Sequence, residues 1–456
     1  MKKYFLIGIG GAGMSSLAFF LQAQGNKVWG SDRSFDQEES SGTKKELLSL
    51  GIQIVPQNGL SLPQNLDGVI YSTAVEKNNP DLISAQKRSL PLLSRAQMLA
   101  QVFNEKKGIA ISGTSGKTTV VGMLAHILQQ AFVDFSFLCG GKVKGLSSNA
   151  SSLSWRLGKS PQMLIEADES DGSITMYQPE ISLITNISKD HKDLDELYGL
   201  FQHLINSTRG PVILNEDCPS FEILHRHSQP IYIFGISQTR DIKLLKEGSS
   251  FKIKQNIFHL QVPGIHNVIN ALAAISVAEI LEIPIQHIQE GLRNFQGIER
   301  RLEHIGCCEK INVYDDYSHN PAKIEAALSA LKNFSRRLIV IYQPHGFGPL
   351  KLQREDLIQV FKNALNPKDH LILLPIYDAG GTADRSISVE DFAHDLQRQG
   401  VPATFFPNRK SLILHIAESA ISEDSIIVMG ARDNSLTEFS HSLLKEIQNS
   451  KIKSKS

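Results

Sequence analysis

Two glycine-rich turns, each set between an apolar run and a helical pattern, constrain this chain more than any other feature of its sequence. The first is Gly8-Ile9-Gly10-Gly11-Ala12-Gly13, at the end of the run YFLIGI; the second is Gly113-Thr114-Ser115-Gly116-Lys117-Thr118-Thr119, after GIAIS (108–112). Strand, glycine turn and helix in that order open a βαβ unit, in which the unpaired N–H groups of the helix start point at an anion. In the second turn Lys117 can reach terminal phosphates and the Thr118 hydroxyl can hold Mg²⁺. Ile111 stands where the full pattern has a glycine, so this is its shortened form, and ATP is the expected ligand. The first turn, with Asp32 closing the next strand, fits NAD or merely a tight strand–helix junction. Beside an ATP loop in the same chain, a nucleotide diphosphate other than NAD is the more economical ligand.

The chain has 456 residues, which at about 150 per domain predicts roughly three domains. Alternating short apolar runs and helical patterns place a Rossmann-like domain at 1–104 and a central domain with a P-loop ATPase-like parallel sheet at 105–298. A second Rossmann-like domain follows at 299–456, so the fold class is α/β throughout. Among the later elements, strands are predicted at 311–315, 337–342, 370–375 and 425–429, and helices at 321–333, 353–364, 389–398 and 410–420, with Asn320 capping and Pro321 opening the first of these helices. The charged tail KIKSKS is expected to be disordered.

Lysine plus arginine equals aspartate plus glutamate at 47 each, so no basic excess draws nucleic acid or an anionic membrane. The uncharged stretch after Met1-Lys2-Lys3 imitates a signal peptide, but its glycines break it into strand, turn and helix, and a cytoplasmic protein is expected. Cys139, Cys218, Cys307 and Cys308 show no paired spacing and are expected to be reduced.

Acidic residues follow the run MLI (163–165) as Glu166-Ala167-Asp168-Glu169-Ser170-Asp171. Carboxylates at the C-terminal end of a sheet strand beside a phosphate loop suit Mg²⁺. Glu166 is the better ligand candidate, whereas Asp168 and Asp171 fit a solvated acidic turn equally well. Asn186 and His191, in TNISKDH after another apolar run, fall at the same edge.

Together these residues resemble the Mur ligases, over essentially the whole chain. The resemblance rests on GIGGAGMS (8–15), GSD (30–32), YSTAVEKNNPDL (71–82), LSRAQMLA (93–100), GTSGKTT (113–119), EADESDGS (166–173) and TNISKDH (185–191). GIHNVINALAA (264–274), FQGIERRLE (295–303), DDYSHNP (315–321) and QPH (343–345) complete it. It is closest to the alanine-adding branch, and the absence of lysine from 193–209 agrees, because several other branches use a carbamylated lysine there. The resemblance implies an ADP-forming ligase that joins L-alanine to the lactyl carboxylate of UDP-N-acetylmuramate through an acyl phosphate, in peptidoglycan precursor synthesis. Gly10, Gly11, Ala12, Gly13, Met14, Ser15, Asp32 and Ser72 would hold the sugar nucleotide. Gly113 through Thr119 would hold ATP phosphates; Asn267 and Asn270 would be adenine-side contacts, Arg301 a phosphate contact and Asp316 a ribose contact. Thr118 and Glu166 would bind one Mg²⁺ and His191 a second, with Lys117, His191 and His319 as the catalytic set. A monomer or weak dimer is expected.

The chain also departs from the pattern. Ser115 stands for a histidine, a histidine pair becomes His319-Asn320, and QPHRYxRT becomes QPHGFGPLK, so Gly346 and Pro349 replace the arginines expected near the incoming amino acid. Lys351 or Arg354 is then the alternative carboxylate partner, though a lysine does not reproduce an arginine fork. Another amino acid, or a recycled peptide, is the alternative nucleophile, and a regulator that binds nucleotide without ligation is the non-enzymatic alternative.

Overall fold

A computed structural model describes residues 1–37, 42–146, 153–170, 172–188, 193–224, 230–378 and 384–453. It divides into two compact units. One comprises Met1–Ile242, Ser250–Gln261 and Asn267–Gln296; the other comprises Lys243–Ser249, Val262–His266 and Gly297–Ser456.

The first unit holds two parallel sheets. Strands β1 (Lys3–Ile7), β2 (Lys27–Ser31), β3 (Gln53–Ile54), β4 (Gly68–Tyr71) and β5 (Leu92–Ser94) lie in the order β3-β2-β1-β4-β5, all parallel. Phe5, Leu6 and Ile7 are fully buried, as a strand covered by helices on both faces requires. The chain direction of build-up reverses between β1 and β4, so the first glycine turn, after β1, opens at the switch point where doubly wound sheets bind ligands.

The second sheet comprises β6 (Lys107–Ser112), β7 (Ser136–Val143), β8 (Leu153–Arg156), β9 (Gln162–Glu166), β10 (Ile181–Ile184), β11 (Val212–Asn215) and β12 (Ile231–Phe234). Their order is β12-β11-β10-β6-β9-β7-β8, parallel except for β8 against β7. β6 is central, so the loop after it is flanked by the ends of β9 and β10. One apolar core spans both sheets: Phe19 and Phe20 of the helix Ala12–Ala23 share it with Leu138 and Met163. Phe19 stacks on Trp155 at 5.7 Å, and Ser16 bonds Ser154 at 2.7 Å. The strands β13 (Arg240–Leu245), β14 (Gly248–Ile253) and β15 (Asn256–Leu260) form a small separate sheet.

In the second unit β16 (Glu303–Cys308), β17 (Ile311–Asp316), β18 (Arg337–Tyr342), β19 (His370–Leu373), β20 (Ala403–Phe405) and β21 (Asp424–Met429) are ordered β16-β17-β21-β18-β19-β20. All but β16 run parallel. Asn320 caps the helix Pro321–Lys332 by accepting from the Lys323 N–H at 3.0 Å. The helix predicted from 353 begins at Phe347, because Pro349 falls in its first turn, where a proline's missing N–H is no loss. A helix at Ser435–Lys453, not predicted, packs Leu436, Phe439, Leu443 and Ile447 into the core. It takes Lys451–Lys453 out of the tail expected to be disordered, and 454–456 lie outside the described residues. Among the described residues no helix is long and apolar enough to cross a membrane, and none of the four cysteines forms a disulfide.

Candidate functional site

The first glycine turn is built for a close approach. Gly8 turns the chain at φ +79°, and the N–H groups of Gly8 and Ile9 both donate to the Ser31 carbonyl. Gly10 donates to Asp32 Oδ2 at 2.8 Å, and a Cβ on Gly10 would lie 2.9 Å from that oxygen. The second Asp32 oxygen accepts from the N–H and hydroxyl of Ser34 at 3.0 and 2.7 Å. Asp32 therefore shapes the loop. The helix Ala12–Ala23 then starts at Gly11 with no side-chain cap, so the N–H groups of its first turn keep no intrahelical acceptor.

That helix start opens on a cavity of about 300 Å³. Gly11, Ala12, Gly13, Met14 and Ser72 line it from the first sheet's side; Cys139, Gly140, Glu166 and Asp168 line it from the second. Arg95 and Tyr177 also contribute to the wall. Of the expected sugar-nucleotide residues, Gly10, Ser15 and Asp32 stand outside this lining. Arg95 was not singled out, though it lies within the LSRAQMLA segment and is the first residue of the helix that the Ser94–Gln97 capping box starts. Cys139, whose Sγ lies 3.0 Å from Glu166 Oε1, carried no sequence signal at all.

The second turn is clamped. Asn186 accepts from the Thr114 N–H through its carbonyl at 3.0 Å and from the Ser115 N–H through Oδ1 at 3.1 Å. Its Nδ2 donates to the Ser115 carbonyl at 3.0 Å, which also accepts from Thr185 Oγ1 at 2.6 Å. Gly113 (φ +124°) and Gly116 (φ +89°) hold backbone angles that side chains resist, and neither has room for one. A Cβ would fall 2.1 Å from Thr185 Oγ1 at the first and 2.4 Å from Asn270 Oδ1 at the second. Asn270, buried, thus packs directly on the loop, and its Nδ2 donates to Asn267 Oδ1 at 3.4 Å. Like the first helix, Lys117–Gln130 starts without a side-chain cap.

Lys117 Nζ donates to the Gly113 carbonyl at 2.6 Å and to Glu169 Oε2 at 2.7 Å, with Asp168 Oδ1 at 3.7 Å. Burial pushes its ammonium toward deprotonation, but Asp168, Glu169 and Glu166 outweigh that and hold its pKa above the usual lysine value. Thr118 is buried at the start of the helix, and Glu166 ends β9. His191 and Asp171 lie outside the described residues. Among the described residues no three His, Cys, Asp or Glu side chains form a ready-made metal cage. Thr118 and Glu166 are nonetheless oxygen donors of the kind Mg²⁺ takes, since that ion completes its shell with phosphate oxygens and water.

In the second unit Asp316, at the end of β17, accepts from the Leu302 N–H at 2.6 Å and the Ser318 N–H at 2.7 Å. Each of its oxygens keeps a lone pair for a further donor. Arg301 lies over the Tyr317 ring at 5.1 Å, as does Arg300, which also donates to the Gly430 carbonyl at 2.6 Å. His319 Nδ1 is 2.9 Å from the Tyr317 carbonyl, which can only accept, so Nδ1 carries the proton and Nε2 is left as an acceptor. Burial foremost, with Lys323, His345 and Arg301 nearby, pushes the His319 imidazole down to about 3. It is a neutral ring at physiological pH. Lys351 and Arg354 are already committed, to Asp384 at 2.9 Å and to Asp395.

Comparison with known proteins covers all four sheets. The Mur ligase family catalytic domain matches residues 3–107, the Mur ligase middle domain 111–278, and the Mur ligase glutamate ligase domain 300–432. A UDP-N-acetylmuramate–L-alanine ligase of Geobacter sulfurreducens is 36% identical over 452 residues, covering 94% of this chain and 95% of that protein. One of Aquifex aeolicus is 34% identical over 474 residues, covering 98% of each. Among solved structures, a UDP-N-acetylmuramate-alanine ligase of Thermotoga maritima superposes with a TM-score of 0.80 at 25% identity, covering 99% of this chain and 100% of that one. A murein peptide ligase of Psychrobacter arcticus shares the fold with a TM-score of 0.71 at 24% identity, covering 98% and 99% of the two chains.

Proposed function

This chain belongs to the Mur ligase family, and from that premise we propose that it is an ATP-dependent, ADP-forming ligase that joins L-alanine to the lactyl carboxylate of UDP-N-acetylmuramate in the cytoplasm. The observation that carries this is the single cavity shared by the uncapped helix at Gly11 and by Glu166 beside the second glycine turn. A sugar nucleotide whose diphosphate rests on the first helix start would extend its carboxylate toward the triphosphate loop.

A carboxylate is a poor electrophile, and transfer of the γ-phosphoryl group to it creates an acyl phosphate that an amino group can attack. The work of the chain's own residues is placement and charge. Lys117, charged at any physiological pH, can exchange Glu169 for a phosphate oxygen without moving far. The clamp of Thr185, Asn186 and Asn270 keeps the loop in its binding shape before nucleotide arrives, so little ordering is left to pay for. Thr118 and Glu166 would hold Mg²⁺, which supplies Lewis acidity and offsets phosphate charge. Within the second unit, Arg301, Asp316 and His319 are the proposed nucleotide contacts, with Asp316 able to accept from ribose hydroxyls.

A different amino acid, or a peptide, as the nucleophile is the second reading, motivated by the altered segment in which Gly346 and Pro349 stand where the resemblance expects arginines and Lys351 and Arg354 already carry carboxylate partners. The test is ADP formation from ATP and Mg²⁺ with UDP-N-acetylmuramate and a panel of amino acids and short peptides. Turnover with L-alanine is expected. Nucleotide binding by folded protein without turnover on any acceptor would eliminate ligation.

A further inference from the structure

Proposing a ligase leaves the carboxylate of the incoming amino acid without a partner, and the end of β21 supplies one. The strands β17, β21 and β18 lie side by side and end together, tied by backbone bonds. The Gly430 N–H donates to the Asp316 carbonyl at 3.2 Å, and Gln343 to the Met429 carbonyl at 2.9 Å. Such C-terminal strand ends form the crevice where open α/β sheets bind ligands. His319 follows β17 and His345 follows β18, their rings 4.7 Å apart. Arg432 follows β21, in the middle.

Three facts set Arg432 apart. Its backbone sits in the left-handed region at φ +67°, a conformation that a non-glycine residue keeps only where its surroundings hold it. Its Nη1 lies 3.5 Å from where a Cβ on Gly346 would be, so the guanidinium fills the room that a side chain at 346 would take. Its charge is also uncommitted. The neighbouring cations are paired: Lys351 with Asp384 at 2.9 Å, Arg385 with Asp378 at 2.9 Å, and Arg409 with Asp433 at 2.5 Å. Arg354 is held by Asp395. Even Asp433, next in the chain to Arg432, turns to Arg409 and Ser435. Arg432 is exposed and makes no ion pair with any described residue.

We propose that Arg432 is the specificity-determining residue of the ligase for its nucleophile, receiving the α-carboxylate of a single amino acid in the fork of its guanidinium beside Gly346. A planar fork takes a carboxylate in two parallel hydrogen bonds, which a lysine ammonium cannot copy. The inference rests on the ligase reading above, so wild-type turnover is measured first; without it the ligase reading fails and this one falls with it.

With turnover in hand, R432G is the decisive variant, because glycine relaxes the left-handed backbone and folding is expected to be kept or improved, as read by the thermal midpoint. The KM for L-alanine should rise roughly 10- to 100-fold, the loss of one charge-assisted contact. The KM values for ATP and UDP-N-acetylmuramate should not move. R432K, which keeps the charge without the fork, should fall between. L-alaninamide, which lacks the carboxylate, should be a far poorer substrate than L-alanine for the wild type and nearly its equal for R432G. An unchanged alanine KM in R432G, or an increase confined to ATP, would overturn the proposal.

Discussion

The two glycine turns of the first unit do the same elementary thing, presenting an uncapped helix start to an anion, and are held in place by opposite means. The first is fastened to its own domain's next strand: one carboxylate, Asp32, accepts the Gly10 N–H at 2.8 Å, and the rest of the turn leans on the Ser31 carbonyl. The second is fastened from two distant segments, by Thr185 and Asn186 and by Asn270, 70 and more residues along the chain. The first has no lysine, and its wall supplies Arg95 from another helix; the second carries Lys117 within the loop, balanced by Glu169. A loop that binds a diphosphate it does not cleave needs shape. A loop that must transfer a phosphoryl group needs shape and a mobile positive charge, and the added clamps keep that charge on target.

Removing the charge should separate the two turns most sharply. Lys117→Ala is expected to lower kcat by roughly three orders of magnitude or more, while titration calorimetry shows UDP-N-acetylmuramate bound as tightly as before; joint loss of both would mean that the turns are not independent. Next in size, Gly116→Ala combines a left-handed backbone with a 2.4 Å approach to Asn270 Oδ1. It should weaken ATP binding roughly 100-fold, the equivalent of about 3 kcal/mol. Adding Asn270→Ala should restore part of that, and failure to do so would place the whole effect in the backbone. The smallest change is expected from Asp32→Ala, which frees the Gly10 N–H and loosens only the first turn. A rise of roughly tenfold in the KM for the sugar nucleotide is predicted, with the ATP value fixed. An equal rise for ATP would erase the distinction between the turns.

How much of this could be read before any coordinates depended on whether the cause was local. The turns were legible because glycines at 8, 113 and 116 answer to backbone angles set within a few residues. Strands such as Arg337–Tyr342, wholly apolar after their first residue, announce themselves by burial on both faces. The helix Ser435–Lys453 was missed although Leu436, Phe439, Leu443 and Ile447 carry a helical spacing, because serines and charges between them dilute the signal. The start at Phe347 was missed because glycine and proline read as a break, yet proline is welcome in a first turn. Within the site, the partnership of Lys117 with Glu169 and the approach of Cys139 to Glu166 join segments far apart in sequence. Nothing in either segment's own composition encodes the other. Arg432 is the extreme case, since its place beside Gly346 and its lack of an ion pair with any described residue are set by the fold and not by its neighbours in sequence.

The ion pair of Lys117 and Glu169 has a consequence for what the second turn will accept. A phosphate oxygen that takes the ammonium releases Glu169, which is buried and would be left facing both Asp168 and the newcomer's own negative charge. Such an exchange is uphill for a bare polyphosphate and becomes favourable only when a cation arrives with it. The lysine's resting partner thus acts as an electrostatic toll gate that naked nucleotide does not pass.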